Sequence, residues 1–178
     1  MRSVSQVFQV SKRESGFAIL GPHRLKEFSL IGTASEGRFT VYDTDTAPVA
    51  GTYAQSGTTV TVTDVDHGLT TGDVVGICFA VGTGGTATSG NYPITVVDAD
   101  TFTITMLNSD TITGTPACNY VANSGANQKN PKRWLMCKGV AAGDSFANAF
   151  SVPGNGFSTK LGTYFLMSNL LEADVFFE

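Results

Sequence analysis

The sequence predicts an all-β protein, in which a β-sandwich or jelly-roll-like domain is interrupted by an inserted small β-barrel domain. Three observations lead to this fold class. Apolar and polar residues alternate with a period of two in many short segments, turn-forming residues separate those segments, and no apolar pattern of helical period extends over a useful length. Charged residues make up 15% and hydrophobic residues 42% of the 178-residue chain, which suits a packed core better than a disordered chain.

The composition changes abruptly in the middle of the chain. Residues 52–121 contain six aspartates and no Lys, Arg or Glu, so all 11 basic residues lie outside this segment. A change of this kind, followed by a small polar segment, is typical of one domain inserted into another. We therefore expect residues 52–121 to form an acidic, threonine-rich β domain. Residues 1–51 and 122–178 are expected to form one discontinuous β-sandwich that anchors it.

Within the insertion, the segment 59–63 alternates threonine with valine, which predicts a strand with the valines on its buried face. Aspartate and glycine predict turns, because both residue types favour the backbone conformations that turns require. The same signals predict strands at 74–79, 92–97 and 101–106, turns at 66–68, 72–73 and 98–100, and a glycine-rich loop at 81–86.

The flanking segments are also predicted to be β-structure. The expected strands are at 24–33, 37–43, 133–140, 146–152, 162–168 and 173–177, with a further alternating segment at 4–10 and a strong turn at 153–156. Because neither flank has enough strands to cover its own faces, the two flanks must pair with each other to form the sandwich.

The chain contains three cysteines, Cys78, Cys118 and Cys137, each in an apolar or β-like context. Their odd number and their spacing give no disulfide framework. We predict that they are free thiols that pack as small core residues.

Two parts of the chain resemble a known type of protein. Residues 25–53, which include Tyr42-Asp43-Thr44, and residues 133–177, with their Pro-Gly-x-Gly-aromatic turn, resemble a small virion structural protein of tailed bacteriophages, of the marine or cyanophage type. The insertion, from TVTVTDVDHGLTTGDVV to NYPITVVDADTFTITM, resembles small β modules of phage tail and surface proteins. Those modules are distantly similar to a β half-domain of ubiquitin-activating enzymes. The shared motifs are turns and strands, so no catalytic residue is carried over.

The resemblance implies a bacteriophage virion structural protein, assembled in the host cytoplasm, that acts by self-association and by binding other virion proteins. A capsid decoration or cement protein is the first expectation. The alternatives are a tail component, such as an adaptor, tip or fibre-associated subunit, and a carbohydrate-binding receptor-recognition module. A sugar site would need exposed aromatic rings, and the insertion offers only these: Tyr53, Phe79, Tyr92, Phe102 and Tyr120.

Charge and hydropathy exclude two classes of partner. The net charge of −4 argues against non-specific binding of nucleic acid, which needs clustered Lys and Arg to displace counterions. The first residues lack the apolar run of a signal peptide, and no run approaches the length of a membrane span. We expect neither a nucleic acid nor a membrane as partner.

Two Asp-x-Asp pairs in the insertion are candidate metal ligands. Asp64 with Asp66 and Asp98 with Asp100 supply the carboxylate oxygens that Ca²⁺ prefers. Aspartate is also frequent in β-turns without any metal, because its side chain bonds nearby backbone N–H groups. We favour the turn role and predict no metal and no other cofactor.

An enzymatic site would need a nucleophile, a base and an orienting acid within hydrogen-bond reach. His67 lies beside aspartates, but it belongs to an Asp-His-Gly turn, and His23 follows a Gly-Pro turn. The sequence contains no GxSxG or HExxH motif, and the glycines at 82–86 precede no lysine that could bind a phosphate. We predict a protein without catalytic residues, which makes a small hydrolase the less favoured class.

Four residues are candidate interface contacts. Arg133 and Trp134 are of types that often anchor interfaces, although Trp134 also begins an apolar strand and is more simply a core residue. Phe176 and Phe177 lie on opposite faces of one predicted strand. One of these faces can enter the sandwich, and the other is expected to contact a second subunit.

Overall fold

The computed structural model describes residues 8–33, 35, 37–123, 131–140, 148–151 and 156–178. All regular secondary structure in these ranges is β-strand, arranged in antiparallel sheets, so the predicted all-β class is confirmed. The described residues include no helix with the length and hydropathy needed to cross a membrane.

The fifteen strands are β1 (Phe8–Lys12), β2 (Gly16–Leu20), β3 (His23–Gly32), β4 (Gly37–Asp43), β5 (Val49–Thr63), β6 (Val74–Phe79), β7 (Gly90–Pro93), β8 (Thr95–Val96), β9 (Thr101–Ile112), β10 (Ala117–Asn123), β11 (Arg133–Val140), β12 (Asn148–Ser151), β13 (Phe157–Thr159), β14 (Gly162–Ser168) and β15 (Leu170–Phe177). These bounds confirm most of the predicted strands. They add β2, β10, β13, the first half of β5 and the second half of β9, which were not predicted, and they divide the predicted strand 92–97 into β7 and β8. Predicted positions 4–7, 146–147 and 152–155 lie outside the described residues.

The chain divides into two compact units. The discontinuous unit comprises Met1–Asp45 and Leu135–Glu178, and the inserted unit comprises Thr46–Trp134. The domain boundaries derived from composition, 52 and 121, fall within strands β5 and β10 of the inserted unit, and they stay a prediction.

The discontinuous unit is built from two antiparallel sheets. One has the order β1-β15-β3-β12, with β13 also pairing with β3, and the other has the order β11-β4-β14-β2. Most consecutive strands lie in opposite sheets, as β1 and β2, β3 and β4, and β14 and β15 do. Fully buried side chains of both sheets share one core, which is the arrangement of a sandwich: Leu25, Phe28, Leu30, Phe39, Val41, Phe165, Ala173, Val175 and Phe177.

The corners at which the chain passes between these sheets are joined by hydrogen bonds. The N–H of Met167 donates to Ser15 Oγ over 2.9 Å, so a side chain takes the place of a backbone partner there. The N–H of Thr33 donates to the carbonyl of Asn169, which has a positive φ of 53°. Gly37 is required beside this corner, because a Cβ at that position would lie 2.8 Å from the carbonyl oxygen of Asn169.

A buried carboxylate fixes the turn between β13 and β14. Asp43 is 1% exposed, and its Oδ1 accepts hydrogen bonds from the N–H groups of Lys160 (3.0 Å) and Leu161 (2.9 Å). The N–H of Gly162 lies 3.4 Å from the same oxygen, while the N–H of Thr44 donates to the carbonyl of Gly162. A carboxylate that accepts several backbone N–H groups satisfies donors that would otherwise be buried without a partner.

The inserted unit consists of one six-stranded antiparallel sheet of order β7-β6-β10-β5-β9-β8. The strands at its two edges, β7 and β8, are separated in sequence only by Ile94, so the sheet curls until its edges meet at that residue. This curled sheet is the inserted small barrel of the prediction. It encloses a core of its own: Tyr53, Val60, Val62, Val75, Ile77, Phe79, Ala87, Ile94, Phe102, Ile104, Met106, Ile112, Cys118 and Tyr120.

Strand β5 bends at a register shift after Gly57, whose φ is 62°. Before the shift Tyr53 and Gln55 are buried, and after it Val60 and Val62 are buried. At the shift one residue of β5, Thr58, lies opposite four residues of β9, 106–109. Across this irregularity the buried face of β5 passes from odd to even positions. The first half of β5 pairs with β10 and the second half with β9, which curls the sheet. The predicted burial of the valines in 59–63 is confirmed.

The three cysteines are free thiols, as predicted. Cys78 and Cys118 are buried, whereas Cys137 is half-buried and accepts a hydrogen bond from Thr40 Oγ1 over 3.4 Å. The prediction that they pack as core residues is therefore confirmed for Cys78 and Cys118.

Candidate functional site

The conspicuous polar residues of the inserted unit meet at two adjacent turns, 64–69 and 97–100. Backbone hydrogen bonds join these turns: the N–H of Asp64 donates to the carbonyl of Asp100 (2.9 Å), and the N–H of His67 donates to the carbonyl of Ala99 (3.1 Å). A shallow depression of about 250 Å³ lies here, lined by Asp66, His67, Gly68, Leu69, Val96, Asp98 and Ala99. Of the four candidate metal ligands, Asp66 and Asp98 line this depression together with His67.

His67 uses both ring nitrogens to hold the turns. Its Nδ1 lies 3.0 Å from the N–H of Leu69, and its Nε2 lies 3.1 Å from the carbonyl oxygen of Asp98. Because a backbone N–H can only donate, Nδ1 accepts, and the ring proton is placed on Nε2, which donates to Asp98. The ring also meets Phe102 edge-on at 5.4 Å. Both nitrogens are occupied by backbone groups, which is the arrangement of a structural histidine.

The aspartates of this region also bond to groups of the protein. Asp100 Oδ1 accepts from the N–H of Asp66 (2.9 Å), which has a positive φ of 54°, and Asp98 Oδ1 accepts from the N–H of Asp100 (3.0 Å). Asp64 Oδ2 accepts from the hydroxyl of Tyr120 over 2.6 Å. In the described ranges, no three His, Cys, Asp or Glu side chains are grouped so that they could hold a metal ion. The contact of Asp98 is that of an Asx turn, and the contact of Asp100 joins the two turns. The expectation of no metal stays a prediction.

The Thr-Gly-Asp segment that follows has a similar role. Asp73 is 4% exposed, and its Oδ2 accepts from the N–H of Thr70 over 2.9 Å. The N–H of Gly72, at a φ of 98°, donates to the carbonyl of Ile94, whose own N–H donates to the carbonyl of Asp73. These bonds attach the turn to the residue at which the two edges of the sheet meet. The predicted turns at 66–68, 72–73 and 98–100 are confirmed.

Burial raises the pKa values of two groups next to Asp64, the thiol of Cys118 and the hydroxyl of Tyr120. Desolvation, together with the nearby Asp64 carboxylate, raises the pKa of the Cys118 thiol to about 12. Desolvation and the hydrogen bond to Asp64 also raise the pKa of Tyr120 well above its ordinary value. Both groups are therefore uncharged at neutral pH, and Cys118 is not a thiolate nucleophile.

Two asparagines hold the segment by which the chain leaves the inserted unit. Asn123, 3% exposed, accepts from the N–H of Lys132 (2.6 Å) and donates to its carbonyl (2.5 Å). Asn91 accepts from the N–H of Trp134 (2.9 Å) and donates to its carbonyl (3.0 Å). Gly76 is required beneath this segment, because a Cβ there would lie 2.2 Å from the backbone nitrogen of Trp134. The amide side chains thus make the hydrogen bonds to this segment that the backbone of a neighbouring strand would otherwise make.

The candidate interface residues have different environments. Arg133 and Trp134 are half-buried, and the indole Nε1 of Trp134 is shielded from solvent without a partner among the described residues. Phe177 is fully buried in the core of the discontinuous unit, whereas Phe176, on the other face of β15, is half-buried. Of the two phenylalanines, only Phe176 has ring surface left for a partner. The interface roles of these four residues stay predictions.

The aromatic residues of the insertion give no open sugar-stacking surface. Four of them are at most 2% exposed and belong to the core: Tyr53, Phe79, Phe102 and Tyr120. Tyr92 is half-buried, and its hydroxyl donates to the carbonyl of Thr88 over 2.8 Å. The exposed rings that a carbohydrate-binding module would need are therefore not provided by these five residues.

No protein-family model matches the sequence, and no curated protein matches it. A comparison with solved structures finds the phage phi92 endosialidase, at 26% sequence identity and a TM-score of 0.30. The match covers 60% of this chain and 14% of that chain. At this TM-score the likeness carries no argument about function.

Proposed function

We propose that this protein is a non-enzymatic structural subunit of a tailed-phage particle, and that it decorates the outside of the capsid. The observation that supports this proposal most is what the polar side chains at the turns of the inserted unit bond to. His67, Asp73, Asp98 and Asp100 all bond to backbone groups of their own turn or of the turn joined to it, and Asp64 bonds to a buried tyrosine. These side chains stabilise a scaffold, which supports a protein that works through its shape.

The sequence resemblance supports the virion context, since it extends over both flanks and the insertion. The surface charge supports an outer position. Among the aspartates of the insertion, Asp66, Asp98, Asp100 and Asp110 are exposed, and no basic residue lies within 52–121 to compensate them. Such a surface is repelled by packaged nucleic acid and discourages non-specific adhesion to acidic surfaces.

The test is immunogold labelling of intact particles with an antibody raised against residues 46–134, using the phage that encodes the chain. We expect gold on the capsid surface and the protein in the protein profile of purified particles. Label confined to the tail would replace the decoration role with a tail role. Protein found only in the soluble lysate, with unlabelled particles, would overturn the proposal.

A further inference from the structure

We draw no further inference here: the strongest candidate, the shallow depression between the joined turns 64–69 and 97–100 of the inserted unit, rests on a cluster of aspartates, and nothing in the structure shows what would cover it.

Discussion

The two units of this chain cover their cores in different ways, one with strands from a continuous stretch of chain and the other with strands from both ends. The inserted unit uses one continuous stretch, 46–134, and its sheet curls until the two edges meet at Ile94. The discontinuous unit places C-terminal β15 between N-terminal β1 and β3, and β14 between β4 and β2. Each of its sheets therefore depends on strands from both ends of the chain.

This difference shows two ways in which a chain can complete a β unit. The inserted unit encloses its core with strands from one continuous stretch, because the chain passes at Ile94 from one edge of the sheet to the other. The discontinuous unit has two separate sheets, and each of them needs strands from both ends of the chain. We infer that the inserted unit can fold by itself, whereas the discontinuous unit needs both of its segments.

The largest effect is expected when the two units are expressed separately. We expect residues 46–134 expressed alone to unfold cooperatively in urea, because their core contains only their own residues. Trp134, the only tryptophan of the chain, reports this transition by fluorescence. Residues 1–45 and 135–178, expressed separately, should give no cooperative transition, because each lacks half of both sheets. A fragment 46–134 without a transition would contradict the comparison.

The next effect concerns the buried carboxylate of the discontinuous unit. We expect Asp43→Ala to lower the free energy of unfolding of that unit by roughly 1–3 kcal/mol, because several partly buried backbone N–H groups lose their acceptor. Calorimetry should show this transition shifted and the Trp134 transition of the inserted unit unchanged. Glu14→Ala, at an exposed position of the same unit, is the control. An equal shift of both transitions would show that the units do not unfold separately.

A smaller effect is expected at the joined turns of the inserted unit. His67→Ala should lower its free energy of unfolding by roughly 1–2 kcal/mol, because two hydrogen bonds and the contact with Phe102 are lost. Urea unfolding followed by Trp134 fluorescence measures it. Val65→Ala, in the same turn and 73% exposed, should be neutral. A neutral His67→Ala would remove the structural role assigned to this histidine.

The smallest effect appears only at alkaline pH and only in the inserted unit. The folded state raises the pKa of Cys118 from 9.0 to about 12, so the folded protein holds this proton more tightly than the unfolded chain. That contribution is complete below pH 9 and is lost as the pH rises toward about 12. Near pH 10, wild type should lose about 1 kcal/mol more than Cys118→Ala, relative to neutral pH. Urea midpoints of both proteins measure this, and equal losses would contradict it.

Local patterns predicted much of this fold. The alternation in 59–63, the turns at 66–68 and 98–100, and strands such as β4 and β14 depend on neighbouring residues, whose spacing decides which side chains share a face. β10 was missed because buried residues lie on both of its faces, which removes a clear alternation. The first half of β5 was missed because the register shift after Gly57 reverses the pattern within one strand.

The sequence by itself determined the β class and the turn chemistry, because these follow from local composition and backbone preference. Only the tertiary structure decided which strands pair and what the polar side chains contact. His67 meets its acceptor on Asp98 across a second turn, and β1 lies beside β15 although nearly the whole chain separates them. Such pairings depend on which faces and edges remain to be covered once the other strands are in place. The spacing of neighbouring residues therefore cannot predict them.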